Sequence, residues 1–144
     1  MIKQASVEDC KIVSELAILL WEDNEINSLE EDFLSYINLN KGAIFLYFDN
    51  MEPIGFAQVG LRYDYVEGTE SSPVGYLEGI FIKDNFRKKG FGKKLLYQCE
   101  IWARNQGCKE FGSDCELDNL DSLKFHLSSN FEESNRIICF KKNL

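Results

Sequence analysis

Residues 87–92 read Arg87-Lys88-Lys89-Gly90-Phe91-Gly92. An apolar run, Val74–Ile82, leads into them, and a helical pattern follows, with Phe91, Leu95, Cys99 and Trp102 on one face. A strand–turn–helix junction of this kind fixes much of what surrounds it. The first-turn N–H groups of a helix have no intrahelical partners, and the helix dipole adds partial positive charge, so they converge on an anion. Gly90 and Gly92 let a phosphate approach the backbone. Arg87, Lys88, Lys89, Lys93 and Lys94 rim the spot with cations. The junction therefore predicts a pyrophosphate site. It is not a nucleotide P-loop, because Lys94 follows Gly92-Lys93 where a hydroxyl is required for Mg²⁺. Nor is it a dinucleotide fingerprint, because Leu95 holds the third glycine position.

The 144-residue chain suits one domain over residues 1–144. It has no apolar run of membrane-spanning length, and Met1-Ile2-Lys3-Gln4 does not begin a signal peptide, so a cytoplasmic location is expected. Five scattered cysteines, with no C-x-x-C pair, argue for reduced thiols and against a disulfide framework or a zinc site, so no metal is expected. The net charge of −8 argues against nucleic acid. The charge is also segregated. Cations gather at 83–94, and acids gather at 22–32 and at Asp64, Glu67 and Glu70. One end attracts an anion and the other a cation, such as a polyamine-like substrate.

Along the chain, 1–5 reads as a strand, Ser6–Asp9 approximates a capping box, and a helix follows through Leu20. A second helix is expected at 29–39. Ala43–Phe48 and Ile54–Tyr63 form a hairpin about a turn at Asp49–Pro53. The strand Val74–Ile82 holds Gly79, a sign of a bulge or close backbone approach. Gly107 ends the helix that starts at Gly90. Glu110–Cys115 is then a strand, Asn119–Ser129 a helix and Ile137–Lys142 a last strand. The sum is a mixed α/β chain with one sheet.

The pattern R-x-x-G-x-G at Arg87–Gly92 resembles the acetyl-CoA pyrophosphate loop of the GCN5-related N-acetyltransferases (GNAT), and the element order matches that fold, a single mostly antiparallel sheet flanked by helices. The segments Arg62–Gly68, Ser71–Val74 and Leu77–Ile82, with Gly112-Ser113-Asp114, Asn119 and Trp21, are similar to the aminoglycoside 6'-N-acetyltransferases of antibiotic-resistant bacteria. The resemblance implies acetyl transfer from acetyl-CoA to the 6'-amine of an aminoglycoside. It also implies that Gly79, Ile80, Phe81 and Ile82 face the pantetheine arm and thioester. Arg87, Lys88, Lys89, Gly90, Phe91, Gly92 and Lys93 would hold the pyrophosphate, and Asn119 would meet the CoA arm. Trp21, Tyr65, Glu78 and Asp114 would line the acceptor site.

Residue chemistry agrees with those roles. A polyamino sugar needs carboxylates for its ammonium groups and flat aromatic faces for its rings. Trp21, Tyr63 and Tyr65 supply faces; Glu78, Asp114, Asp64, Glu67 and the Glu22/Asp23 pair supply charge. A protonated amine cannot attack a thioester, so a base is required, and Glu78 is the candidate, acting directly or through water. Asp114 would orient the ammonium, or the two acids would exchange roles. The backbone near Ile80 or Phe81 would stabilise the oxyanion. Many GNAT members carry a tyrosine acid where this chain has His126, its one histidine, which is therefore the candidate acid. Asn135 stands near a point where the related enzymes often carry a glutamate for the antibiotic, and Glu132 or Glu133 are the alternatives there. Two further readings stay open: an acetyltransferase for another cationic amine (polyamine, peptide N-terminus or lysine), and an acyl-CoA-binding sensor without turnover. The resemblance also implies a homodimer, with Arg136–Lys142 the edge strand to suspect.

Overall fold

The structure is a computed structural model that describes residues 1–144. Strand β1 (Ile2–Gln4) leads to Ser6, whose N–H donates to Asp9 Oδ2 at 2.8 Å while Asp9 pairs with Lys3 at 2.8 Å. This is the reciprocal half of the expected capping box, and it opens the way into helix α1 (Cys10–Leu20). Helix α2 (Ile26–Asn38) begins three residues before its expected start and packs on α1 through Leu29 and Phe33.

Strands β2 (Gly42–Asp49) and β3 (Glu52–Arg62) form the expected hairpin, with Asn50 and Met51 both at positive φ (48° and 69°). Primed turns of that kind match the natural twist of paired strands. Strand β4 (Val74–Ile82) pairs antiparallel with β3, and β5 (Phe111–Gly112) pairs parallel with β4. The sheet order is β1-β2-β3-β4-β5.

Both faces of the sheet are buried. On β2, Ile44 and Leu46 join α1 and α2 on one side, while Ala43, Phe45 and Tyr47 meet Leu95, Leu96 and Cys99 on the other. Those three residues belong to helix α3 (Phe91–Asn105). The two-residue period of a strand is what sends alternate apolar residues to opposite layers. Helix α3 ends in a paired motif: the Gly107 N–H bonds to the Arg104 carbonyl at 2.9 Å and the Cys108 N–H to that of Ala103 at 3.0 Å, with Gly107 at φ 87°. Helix α4 (Leu120–Ser128) is the last regular element.

Two expectations are corrected. The strand expected over Glu110–Cys115 pairs only at Phe111 and Gly112. The strand expected over Ile137–Lys142 does not form, and Ile138 and Phe140 stand 81% and 90% exposed. Apolar alternation marks a segment able to be a strand. A strand exists only where a neighbour satisfies its backbone groups, and no neighbour in this chain lies alongside that one.

Candidate active site

The sheet forks at one end. Beyond Tyr76 and Gly112 the pairing of β4 with β5 stops, while β4 continues to Ile82. Residues Gly79, Ile80, Phe81 and Ile82 thus pair on the β3 side only and leave their other edge open between β4 and α4. The start of α3 lies at the far end of this opening. A Cβ on Gly92 would come 3.2 Å from the Phe125 ring of α4 and 3.9 Å from Ile82, so α3, α4 and β4 converge there.

That convergence builds the anion cradle expected from the sequence. Lys88 and Gly90 both have positive φ (61° and 81°), which turns the chain sharply before α3. No backbone carbonyl accepts from the N–H groups of Lys88 to Lys93, and the first α3 bond to the cap is Lys94 N–H to Gly90 O at 3.2 Å. Consecutive free N–H groups at a helix start are an anion nest. Gly90 is needed for its backbone angle, and Gly92 keeps the approach between α4 and the loop clear. The side chains are tethered around the nest. Arg87 donates to the Ile82 carbonyl at 2.8 Å and pairs with Asp84 at 3.0 Å. Lys93 donates to the Ser128 carbonyl at 2.8 Å, and Lys89 lies over the Phe86 ring. Asn119 caps α4 by accepting from the Ser122 N–H at 3.1 Å. The residues present therefore fit a pyrophosphate followed by an extended arm along the open edge of β4.

Glu78 is presented by a bulge. Gln58 of β3 pairs with Gly79 and Val59 with Leu77, so Glu78 has no partner and is turned out of the ladder. The bulge expected near Gly79 thus leaves its neighbour, the acid, as the extra residue. Gly79 has a separate use: a Cβ there would lie 2.6 and 2.8 Å from the Trp21 ring, so the indole packs directly on the β4 backbone. Trp21 also meets Phe56 edge-on, with ring centroids 5.8 Å apart.

Glu78 does not stand alone. Arg62, at the end of β3, donates from Nε to Glu78 Oε1 at 3.1 Å and from Nη2 to Oε2 at 2.8 Å. Its guanidinium carbon lies 3.7 Å above the centre of the Tyr76 ring, and the Tyr76 hydroxyl donates to Asp114. One continuous chain, Glu78–Arg62–Tyr76–Asp114, therefore joins the two candidate acids. Burial and the bond to Asp114 push the Tyr76 phenol well above its ordinary range. Burial and then the charge of Glu78 raise Tyr36 to about 12. Tyr36 donates to the Val59 carbonyl at 2.8 Å and, with Gly60, Leu61, Tyr63 and Glu78, lines a cavity of about 360 Å³. Arg62, Tyr76 and Tyr36 were not among the residues assigned from sequence. The alternation Tyr76/Glu78 on one strand face was visible there, but the register bringing Arg62 alongside was not.

His126 sits in α4. Its Nδ1 lies 2.7 Å from the Ser122 carbonyl oxygen, and its Nε2 lies 2.7 Å from Ser113 Oγ. A carbonyl can only accept, so Nδ1 carries the proton and Nε2 of the neutral ring accepts from the Ser113 hydroxyl. Ser113 follows the last paired residue of β5, at the crotch of the fork.

The loop between β3 and β4 closes the site's acidic side. Glu110 Oε1 accepts from the N–H groups of Glu70 (2.9 Å) and Ser71 (2.8 Å), and the Ser71 hydroxyl and these N–H bonds hold its carboxyl below the usual range. Val66 rests on Gly112, and Ser134 rests on Gly68. Asn135 is therefore beside this loop, although its side-chain oxygen accepts from the Arg136 N–H at 2.8 Å. Glu133 pairs with Arg136. Tyr63 and Tyr65 are both exposed on the loop.

An open sheet edge with a free-amide nest at one end and an acid-and-aromatic pocket at the other is the architecture of an acyl-CoA-type transferase. Residues 13–131 match the acetyltransferase (GNAT) family model. The chain is 39% identical over 129 residues to an aminoglycoside N(6')-acetyltransferase type 1 of Acinetobacter baumannii, covering 90% of this chain and 88% of that protein. It is 38% identical to the enzyme of the same name from Stenotrophomonas maltophilia, covering 99% and 93%. Among solved structures, an AAC(6')-Iy structure in complex with the bisubstrate analogue CoA-S-monomethyl-acetylneamine superposes with a TM-score of 0.95 at 33% identity, over 100% of this chain and 98% of that one. An aminoglycoside 6'-N-acetyltransferase crystal structure from A. baumannii gives 0.92 at 36% identity, covering 100% and 98%. The chain belongs to the GNAT acetyltransferase family, in its aminoglycoside N(6')-acetyltransferase branch.

Proposed function

We propose that this protein transfers the acetyl group of acetyl-CoA to the 6'-amino group of aminoglycosides, as one catalytic domain, and so confers resistance to them. The bulge that leaves Glu78 unpaired next to Gly79, where the open edge of β4 begins, is the observation that carries the reading. In it, the Lys88–Lys93 amides and the surrounding cations hold the pyrophosphate, and the free edge at Gly79–Ile82 holds the arm. Asn119 borders the arm at the start of α4. Trp21, Tyr65, Asn135 and Asp114 border the acceptor, with Asp114 fixed by Tyr76.

Glu78 takes a proton from the acceptor ammonium, directly or through one water. The freed amine adds to the thioester carbonyl, and a backbone N–H near Ile80 or Phe81 receives the oxyanion. The C–S bond then breaks, leaving the acetyl on nitrogen and a thiolate on CoA. His126 reaches that thiolate through Ser113: in its doubly protonated form it gives the Nε2 proton to the hydroxyl, which passes its own to sulfur. Binding and orientation at Asp114 add to the general base, whose own worth is about 10²–10⁴-fold.

The test is release of free CoA with tobramycin, spermidine and a lysine peptide as parallel acceptors, repeated with Glu78→Gln. Turnover with tobramycin that falls about 10²–10⁴-fold in the variant at unchanged acetyl-CoA KM supports the reading. Turnover with spermidine or the peptide alone replaces the acceptor class, and a full kcat for Glu78→Gln at every pH removes it as base. The acidic loop suits polyamines too, which is why spermidine belongs in the panel. Binding of acetyl-CoA with no turnover for any acceptor moves the protein to a sensor.

The reading extends to a cytoplasmic homodimer. Five free cysteines suit a reducing compartment, and no helix is long and apolar enough to cross a membrane. Residues 136–142 carry exposed Ile137, Ile138 and Phe140, and the cavity of about 350 Å³ beside β5, where Ala103, Phe111 and Phe131 lie among charged and polar residues, offers them a seat on a second copy. Sedimentation of the full chain and of a variant ending at Asn135 tests this, with loss of the dimer on truncation as the expected result.

A further inference from the structure

Resting on the acceptor site just proposed, we infer that Arg62 is a resident stand-in for the substrate's ammonium group. It occupies Glu78 in the resting enzyme and must be displaced, which makes it a specificity-determining residue against acceptors with a single cation. The groups around its guanidinium are those that recognise an aminosugar ammonium. A carboxylate binds it through both oxygens, at 2.8 and 3.1 Å; an aromatic face lies beneath it at 3.7 Å; and a second carboxylate, Asp114, lies behind that ring through the Tyr76 hydroxyl. The sequence supplies the cation itself, from the last residue of β3.

Space and exposure favour exchange. Gly60, opposite Tyr76, leaves room beside the pair, since a Cβ there would stand 3.6 Å from Glu78 Oε1 and 2.6 Å from the Tyr36 hydroxyl. Glu78 lines the 360 Å³ cavity, where Lys41 is the only cation in the lining. The side chains of Arg62 and Glu78 are 44% and 28% exposed, so solvent and an incoming cation can reach the ion pair. An incoming monoamine exchanges one cation for another and gains little. An acceptor with several ammonium groups meets Glu78 and also the loop acids Asp64, Glu67 and Glu70, and so displaces Arg62 at a net gain.

The experiment compares wild type with Arg62→Met, Arg62→Gln and Arg62→Lys, measuring acceptor KM for tobramycin and for a monoamino sugar, with acetyl-CoA KM and thermal midpoint as fold controls. Neutral replacements should lower the tobramycin KM about two- to fivefold, the worth of an exposed ion pair, and lower the monoamine KM more, so that the preference narrows. Arg62→Lys should restore the wild-type preference. By calorimetry in the presence of CoA, Arg62→Met should change tobramycin affinity in wild type but not in a Glu78→Gln background, where no carboxylate remains to compete for. The Gln variant decides if the Met variant does not fold. A raised or unchanged tobramycin KM in the neutral variants, with wild-type turnover intact, overturns the inference and leaves the functional reading standing. A wild type that neither binds nor acetylates tobramycin overturns both.

Discussion

Replacing Gly79 by alanine should strike the packing of α1 on β4 and the acceptor side of the proposed site together. The added Cβ would lie 2.6 and 2.8 Å from ring atoms of Trp21, closer than carbon atoms approach. The indole cannot simply turn away, because it is held against Phe56 at 5.8 Å and Phe33 at 6.5 Å. Relief therefore requires the end of α1 to shift from β4. Overpacking of this kind costs about 1–3 kcal/mol. For a chain of this length that is a fall in Tm of about 3–12 °C. The Cβ points from the sheet face and not along its hydrogen-bonding edge, so acetyl-CoA KM should hold within about twofold while acceptor KM rises by about an order of magnitude, because Trp21 borders the proposed acceptor site. Thermal unfolding and steady-state kinetics on Gly79→Ala, Trp21→Ala and the double variant check this. Without the indole the methyl has nothing to strike, so Gly79→Ala should be nearly neutral in the Trp21→Ala background. A Tm drop below about 1 °C in the single variant, or equal costs in both backgrounds, would refute the packing argument.

Three shorter predictions complete the set. Gly90→Ala forces a Cβ into a left-handed conformation at φ 81°, at about 1–2 kcal/mol, and should raise acetyl-CoA KM without touching acceptor KM. Burial works to raise the Asp9 carboxyl, but the Lys3 and Ser6 bonds outweigh it and its folded pKa lies below its ordinary value. Its contribution is thus present above the unfolded pKa and lost as pH falls through the folded one. Asp9→Ala should lower stability by about 1 kcal/mol at pH 7 and show no such difference near pH 2, by thermal melts across pH. Tyr36 titrates near 12 in the folded chain against 10.0 ordinarily, so stability should begin to fall above about pH 10. Tyr36→Phe should remove part of that alkaline loss.

The features legible in the sequence are those written in short-range terms. The nest at Arg87–Gly92, the β2–β3 hairpin, the helix stop at Gly107 and the irregularity at Gly79 each rest on a few adjacent residues whose backbone angles or missing side chains leave little choice. The amphipathic helices and doubly buried strands follow from periods of 3.6 and 2 that can be counted along the chain. Tertiary structure alone decided what stands opposite what. Arg62 and Glu78 lie sixteen residues apart, and only the bulged register of β3 on β4 sets guanidinium against carboxylate. The Ser122 carbonyl one turn back in α4 fixes the His126 tautomer, but only the fold brings Ser113 to its other nitrogen. Residues 137–142 have the alternation of a strand yet form none, because a strand's hydrogen bonds belong to its partner as much as to itself, and a single chain's sequence does not say where that partner is.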